Sequence, residues 1–296
     1  MTPDVLCIGS VLWDVIGRAQ GAVAPGADVP GRIAAMPGGV AFNIAAALAR
    51  RGMRPALLSA VGRDSDGDAL VEACGRSGVD TAWLHRPEDR QTDRYMAIEA
   101  AGGLVAAIAD TRTLEAADAA ILAPLEDGRL GSAAAPWAGP VVLDGNLTGD
   151  LIAAIAAAPA FAAADLRIAA ASPAKAARLV SLLGHPRATL YLNRAEAGAL
   201  AGMPFAEAAG AAAALVARGA ARAIVTDGGA ACADAAPGRG TVTALPPAVA
   251  VARVTGAGDV FMAAHLAADC GGADPAAALA AALRSAADHI STEHAS

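Results

Sequence analysis

The sequence predicts an α/β fold, a mostly parallel sheet with helices on both faces and a small inserted sheet, and three observations on the 296-residue chain carry that expectation. Short apolar runs of strand length alternate with longer alanine-rich stretches of helical character, the pattern of a parallel sheet covered on both sides. Hydrophobic residues make up 55% and aromatics only 3%, so a sizeable core is expected to rest on many close helix contacts rather than a few large anchors. Two stretches, 15–36 and 93–110, fall outside the alternation and read as the inserted sheet. We read residues 1–296 as a single domain carrying that insertion.

Val5-Leu6-Cys7-Ile8 is a buried-strand run ending at Gly9-Ser10. Asp14 follows beyond its C-terminal end, where open α/β sheets bind ligands. A carboxylate there can hold two vicinal hydroxyls, or simply turn or cap the chain. Residues 15–36, rich in Gly, Pro and Ala, are too irregular for a core helix and too long for a plain loop. Pro37-Gly38-Gly39 leads into a helix over 41–50, placing the glycines at a helix N-terminus where backbone can approach a substrate closely. Asn43 in its first turn can donate and accept, or cap. Residues 57–62 form the next strand and 67–77 the helix behind it. Residues 95–99 and 104–108 flank Ala100-Ala101-Gly102-Gly103, a hairpin signal.

Residues 141–144 are a strand that delivers Asp144 and Asn146, 151–158 a helix, and 167–170 a strand leading to Ser172-Pro173 and a helix containing Lys175. Residues 190–192 deliver Asn193 and Glu196, which share one face of a helix starting there. They suit a capping box, and the carboxylate also suits Mg²⁺ held through water. The strand 223–226 carries Thr226 and ends at Asp227-Gly228-Gly229, a turn whose glycines let backbone approach a phosphate. Asp274-Pro275 opens a last helix to about residue 290.

The chemistry concentrates in Val254-Thr255-Gly256-Ala257-Gly258-Asp259, ahead of a helical pattern over 260–268. Backbone N–H groups and the helix dipole make such a start an anion site, and Asp259 adds a base in the same small volume. That pairing suits phosphoryl transfer to an alcohol. The same residues also read as a Thr255 cap, a glycine turn and an acidic first-turn residue.

A net charge of −7 and a pI near 5.2 argue against nucleic acid as partner. Cys7, Cys74, Cys232 and Cys270 have neither disulfide-framework nor zinc spacing, and the five histidines have no metal spacing. The N-terminus lacks a signal-peptide pattern and no apolar stretch is long enough to span a membrane, so a cytoplasmic location is expected.

Thr255-Gly256-Ala257-Gly258-Asp259 resembles the C-terminal signature of the ribokinase-like (PfkB) carbohydrate and nucleoside kinases, and Pro37-Gly38-Gly39 with Asn43 resembles their N-terminal glycine signature. The resemblance extends over nearly the whole chain. It implies ATP as donor, Mg²⁺ as cofactor with a monovalent cation as a further one, and Asp259 as base beside the amides of Gly256, Ala257 and Gly258. It further implies substrate contacts from Asp14, Gly38, Gly39 and Asn43, nucleotide contacts from Asn193, Thr226, Gly228, Gly229 and Thr255, and a magnesium role for Glu196. The inserted strands would be a lid over the sugar and a surface for homodimerisation. Asp144-Gly145-Asn146-Leu147, Ser172-Pro173 with Lys175, Asn193-Arg194 with Glu196-Ala197, Ile108-Ala109-Asp110 and V-T-G-A-G-D look most like the pseudouridine kinase branch. Phe42 stands where that branch often has a basic residue, and Arg253 where an acid or amide is usual; an aromatic at 42 could stack on a base or pack in the helix. The implied activity is phosphorylation of the 5′-hydroxyl of a ribosyl nucleoside, pseudouridine first, with ribose, fructose, inosine and adenosine as alternatives. A noncatalytic sugar-binding relative would not need Asp259 beside an anion hole, and a dinucleotide-binding dehydrogenase would need G-x-G-x-x-G where Gly9-Ser10-Val11-Leu12-Trp13-Asp14 stands.

Overall fold

The computed structural model describes residues 2–24, 26–100, 103–252 and 254–291. In chain order the strands are β1 (Val5–Ile8), β2 (Leu12–Ala19), β3 (Gly31–Gly38), β4 (Pro55–Leu58), β5 (Arg94–Ala100), β6 (Gly103–Asp110), β7 (Pro140–Asp144), β8 (Asp165–Ala169), β9 (Ala188–Asn193), β10 (Arg222–Thr226), β11 (Cys232–Ala236) and β12 (Gly240–Ala244). The α-helices are α1 (Val40–Ala49), α2 (Ser65–Arg76), α3 (Arg112–Ala117), α4 (Ala123–Glu126), α5 (Gly149–Ala157), α6 (Arg194–Ala201), α7 (Ala208–Ala217), α8 (Ala257–Cys270) and α9 (Pro275–Ser291).

The main sheet runs β12-β11-β10-β9-β8-β7-β1-β4, parallel from β10 to β4, with β11 and β12 added as an antiparallel edge hairpin. Alternation along β1 shows why its whole run is apolar. Leu6 and Ile8 enter the core packed by α5, α6 and α7, while Val5 and Cys7 enter the core packed by α1, α8 and α9. The expected mostly parallel sheet with helices on both faces is the observed one. The edge hairpin had no signal in the sequence reading, because Cys232-Ala233-Asp234-Ala235-Ala236 lacks the β-branched run of a strand and is held by pairing to β10.

The helix expected around Lys175 is not α-helical. The chain turns at Ser172–Lys175 and continues as a 3₁₀ helix over Ala176–Leu182. Ala176, Leu179 and Leu182 are fully buried, and their spacing of three is the period a 3₁₀ helix eclipses on one face. The strand expected over 57–62 ends at Leu58 and continues through an isolated bridge between Ala60 and His85.

A second sheet of order β3-β2-β5-β6 stands apart from the first. Its strands start earlier and end later than 15–36, so Asp14 is neither turn nor cap: it lies on β2, registered with Met36 of β3 and Tyr95 of β5. The Ala101-Gly102 turn lies outside the described residues.

Far from the strand C-termini, Arg222 at the start of β10 donates to both oxygens of the buried Asp234 (3.0 and 2.7 Å) and to Asp269 of α8 (3.0 Å). Arg167 joins Asp165 and Asp269 at 2.6 and 2.7 Å. Burial acts to raise the Asp234 carboxyl, but Arg222 and Arg239 outweigh it and hold it below the usual carboxylate range. Asp234→Ala leaves a buried guanidinium short of its partner, and we expect a loss of roughly 3–5 kcal/mol in denaturant unfolding at neutral pH. Because the folded-state value is depressed, the carboxylate stabilises the protein above about pH 4 and ceases to as pH falls below it, so the gap to wild type should narrow in acid.

Candidate active site

The C-terminal ends of the parallel strands and the second sheet together line a cavity of about 560 Å³. Its frame is the fully buried carboxylate of Asp144, at the end of β7. Oδ2 accepts from Ser10 N (2.8 Å), Ser10 Oγ (2.8 Å) and Ala41 N (2.9 Å), and Oδ1 accepts from Asn146 N (2.8 Å). Ser10 Oγ accepts in turn from Val40 N and Asn146 Nδ2, both at 2.9 Å. A Cβ on Gly9 would lie 2.5 Å from the Asp144 carboxyl carbon, so the strand can meet this group only as glycine.

Asp14 rests against Gly38, where a Cβ would come within 2.0 Å of its Oδ2, and burial pushes its pKa up to about 6. Gly39 has φ 97 at the N-cap of α1, and a Cβ there would lie 2.5 Å from the Ser10 carbonyl. One helical turn on, Asn43 Nδ2 donates to Asp259 Oδ2 at 2.9 Å.

Helix α8 starts at Ala257 with Gly256 as a left-handed N-cap (φ 80) and no side-chain cap, so Thr255 does not cap it. The Ala257 amide donates to the Val254 carbonyl at 3.2 Å and is therefore committed. The Gly256, Gly258 and Asp259 amides donate to no backbone or side-chain acceptor among the described residues, so of the expected trio only Ala257 is withdrawn. Burial raises the Asp259 pKa to about 7; the Asn43 bond opposes this, and Asp144, Asp14 and Glu196 add to it.

On the β9 side, Asn193 Oδ1 accepts from Glu196 N (2.9 Å) and Glu196 Oε2 from Asn193 N (2.7 Å), the expected capping box. Burial raises the Glu196 pKa. Among the described residues no cluster of three or more His, Cys, Asp and Glu could hold a metal. The second Glu196 oxygen lies outside the capping box and is a hard oxygen donor of the kind Mg²⁺ takes.

The cavity thus gathers Asp14, Gly39, Asn43, Asn193, Glu196, Thr226, Thr255, Gly256, Gly258 and Asp259. Gly38 stands behind Asp14, while Gly228 and Gly229 form an exposed turn that does not line it. Phe42 is buried in the core and does not line it, which removes the base-stacking reading. Arg253 lies outside the described residues. Ser10 and Tyr191, which no local sequence pattern marks, also line the cavity. A serine after a strand glycine is too common to stand out. Tyr191 is a core residue whose hydroxyl meets His265 Nδ1 at 2.9 Å and accepts from Arg167 at 3.2 Å. Among the described residues no helix is long and apolar enough to cross a membrane.

Residues 2–296 match the model of the pfkB family carbohydrate kinases. A carbohydrate kinase from Agrobacterium tumefaciens superposes with a TM-score of 0.83 at 30% identity, over 100% of this chain and 93% of that one. Arabidopsis thaliana ribokinase complexed with ribose and ATP shares the fold, with a TM-score of 0.79 at 20% identity over 100% and 95% of the two chains. In sequence, the chain is 33% identical over 155 residues to the uncharacterized sugar kinase YeiI of Escherichia coli, covering 51% of this chain and 41% of that protein. It is 35% identical over 120 residues to the pseudouridine kinase of the same organism, covering 40% and 38%. These stretches span well under two thirds of either relative. With the family match running through both signatures and the fold, the chain belongs to the pfkB family of carbohydrate kinases, phosphotransferases with an alcohol as acceptor.

Proposed function

We propose that this chain is an ATP-dependent kinase that phosphorylates the 5′-hydroxyl of a ribosyl nucleoside, pseudouridine first among them, in the cytoplasm. The observation that carries the reading is Asp259 at a helix start, bonded to Asn43 and sharing one cavity with Asp14 on the β1 side and with Asn193 and Thr226 on the β9 and β10 side. Asp14 takes the ribose hydroxyls. The Asn43 bond occupies one Asp259 oxygen and leaves the other to accept the 5′-hydroxyl proton, and a pKa about 7 suits a base at neutral pH. The Gly258 amide and the helix start stabilise charge on the phosphoryl group in transit, with Gly256 giving the turn its close approach. Thr255, Asn193, Thr226 and the Gly228-Gly229 turn serve the nucleotide. Glu196 would hold Mg²⁺, which when bound neutralises phosphate charge; a monovalent cation as further cofactor rests on the family resemblance. The second sheet acts as a lid that excludes water. Partial similarity to pseudouridine kinase supports the base assignment, and that to YeiI favours a plain sugar as the second reading.

A panel of pseudouridine, uridine, inosine, adenosine, ribose and fructose with ATP and Mg²⁺, read as ADP release, tests the assignment. Pseudouridine is expected to lead with ribose inactive; the reverse order overturns the nucleoside reading, and no turnover with any of them overturns the kinase reading for this chain.

Asp259→Asn should lower kcat by ~10²–10⁴-fold with little change in substrate affinity, since a general base acts in the transition state. Only the deprotonated base works, so wild-type activity should climb with pH to a plateau above about 7. A pH–rate profile of the wild type checks this limb. Asp14→Asn should instead raise KM, because its bonds are made in ground and transition states alike.

Ile33, Val105 and Ile108 are exposed on the second sheet, at 80%, 48% and 70%, which supports a homodimer formed through it. Light scattering should give twice the chain mass, and Ile33→Asp with Ile108→Asp should return it to one chain; a wild-type monomer ends the dimer clause.

A further inference from the structure

Lys175 is the one lysine in the chain, the rest of its 22 Lys and Arg residues being arginine. Where the fold needs a buried cation, at the Asp234 and Asp269 cluster, it uses arginine. The sole lysine lines the cavity, half-buried, and among the described residues lining it is the one cation facing the carboxylates of Asp14, Glu99, Glu196 and Asp259. An ammonium is a compact charge with three donors and no acceptor, a different tool from the planar arginine fork.

One donor is committed: Nζ donates to Asn146 Oδ1. Asn146 Nδ2 donates to Ser10 Oγ at 2.9 Å, and Ser10 Oγ donates to Asp144 Oδ2 at 2.8 Å. Every donor and acceptor in this chain is assigned a direction, so the asparagine cannot flip without losing a bond at each end. The tether holds Nζ at Asn146 and, through it, beside Ser10, whose hydroxyl also accepts from Val40 N at the start of α1. Two N–H donors remain for a ligand.

The cavity carboxylates match the hydroxyls of a sugar, which donate. An ammonium matches an oxygen that only accepts. A phosphorylatable substrate supplies such an oxygen as a ring carbonyl, the donor nucleotide as a phosphate oxygen, and the tether to Ser10 favours the first.

We infer that Lys175 is a specificity-determining residue that donates to a ring-carbonyl oxygen of the phosphoryl acceptor, so that the site selects nucleosides with a carbonyl-bearing base over bare pentoses. Asn146 is the positioning residue that holds it. The inference rests on the nucleoside-kinase reading above and names the group that distinguishes base from sugar.

A single lysine makes the test direct on the wild-type enzyme. Acylation by a limiting amine-specific reagent, followed by peptide mass mapping, reports Lys175 separately from the N-terminal amine. Burial lowers the Lys175 pKa, which favours its reaction as the free amine. Pseudouridine at ten times its Kd should slow acylation by about 10-fold, while ribose alone and ATP alone leave it unchanged. Protection by ATP alone would make Lys175 a phosphate ligand, and protection by ribose, or by nothing, would equally overturn the inference. In turnover, Lys175→Met should raise KM for pseudouridine by about 10- to 100-fold with kcat and KM for ATP little changed. A variant with wild-type KM contradicts the inference. Failure of the kinase reading would appear instead as absence of turnover across the whole panel, whereas failure of this inference would appear as pseudouridine turnover without protection.

Discussion

The buried carboxylate of Asp144 is the group on which the geometry of the site depends. It gathers two donors of Ser10, the amide of Ala41 and the amide of Asn146, and so fastens the ends of β1 and β7 to the start of α1. A buried charge is tolerated only when its lone pairs are filled, and here four donors fill them. Gly39, Asn43 and Lys175 take their places from this one knot: the first two through α1, the third through Asn146. Gly9 is the concession the backbone makes to bring Ser10 there, since any side chain would collide with the carboxylate.

The polar groups of the molecule divide by position along the sheet. In the cluster around the start of β10, Arg167, Arg222, Asp234 and Asp269 are mutually compensated, and burial is outweighed by opposite charge. In the cavity, burial raises Asp14 to about 6, and burial joined by repulsion from Asp144, Asp14 and Glu196 raises Asp259 to about 7. The second arrangement destabilises the ionised protein above those values, and under the proposed mechanism it would ready a base. Compensated charge is gathered around the start of β10, and among the described residues Asp14 and Asp259 line the cavity without a guanidinium partner.

Much of this was legible in the sequence because it was local. The apolar runs of β1 and β7 to β10, the glycine entries to α1 and α8, and the Asn193–Glu196 box are each written within a few neighbouring residues. Contacts over long separations were not. Nothing near Asp144 says that Ser10, 134 residues away, will bind it, and nothing near Asn43 names Asp259 as its partner. Local signals also misled where packing decided: the spacing-of-three burial after Lys175 turned an expected α-helix into a 3₁₀ segment, and Phe42 was drawn into the core. The commitment of the Ala257 amide to Val254 depends on a turn geometry that the letters alone do not specify.

Strand β3 passes into α1 with no intervening loop: Gly38 is the last residue of the strand and Gly39 the cap of the helix. On the other side, β2 leaves β1 after only Gly9, Ser10 and Val11. The second sheet is therefore joined to the knot around Asp144 by two short arms, each containing glycine with positive φ. The sheet is also tied down where β5 begins and β6 ends, at Asp93, which accepts from the Thr113 and Leu114 amides, but a shift of β2 and β3 would be felt at Ser10 and at the first turn carrying Asn43. The placement of Asn43 against Asp259 is thus mechanically coupled to that of the second sheet, through a strand that becomes the helix without a break.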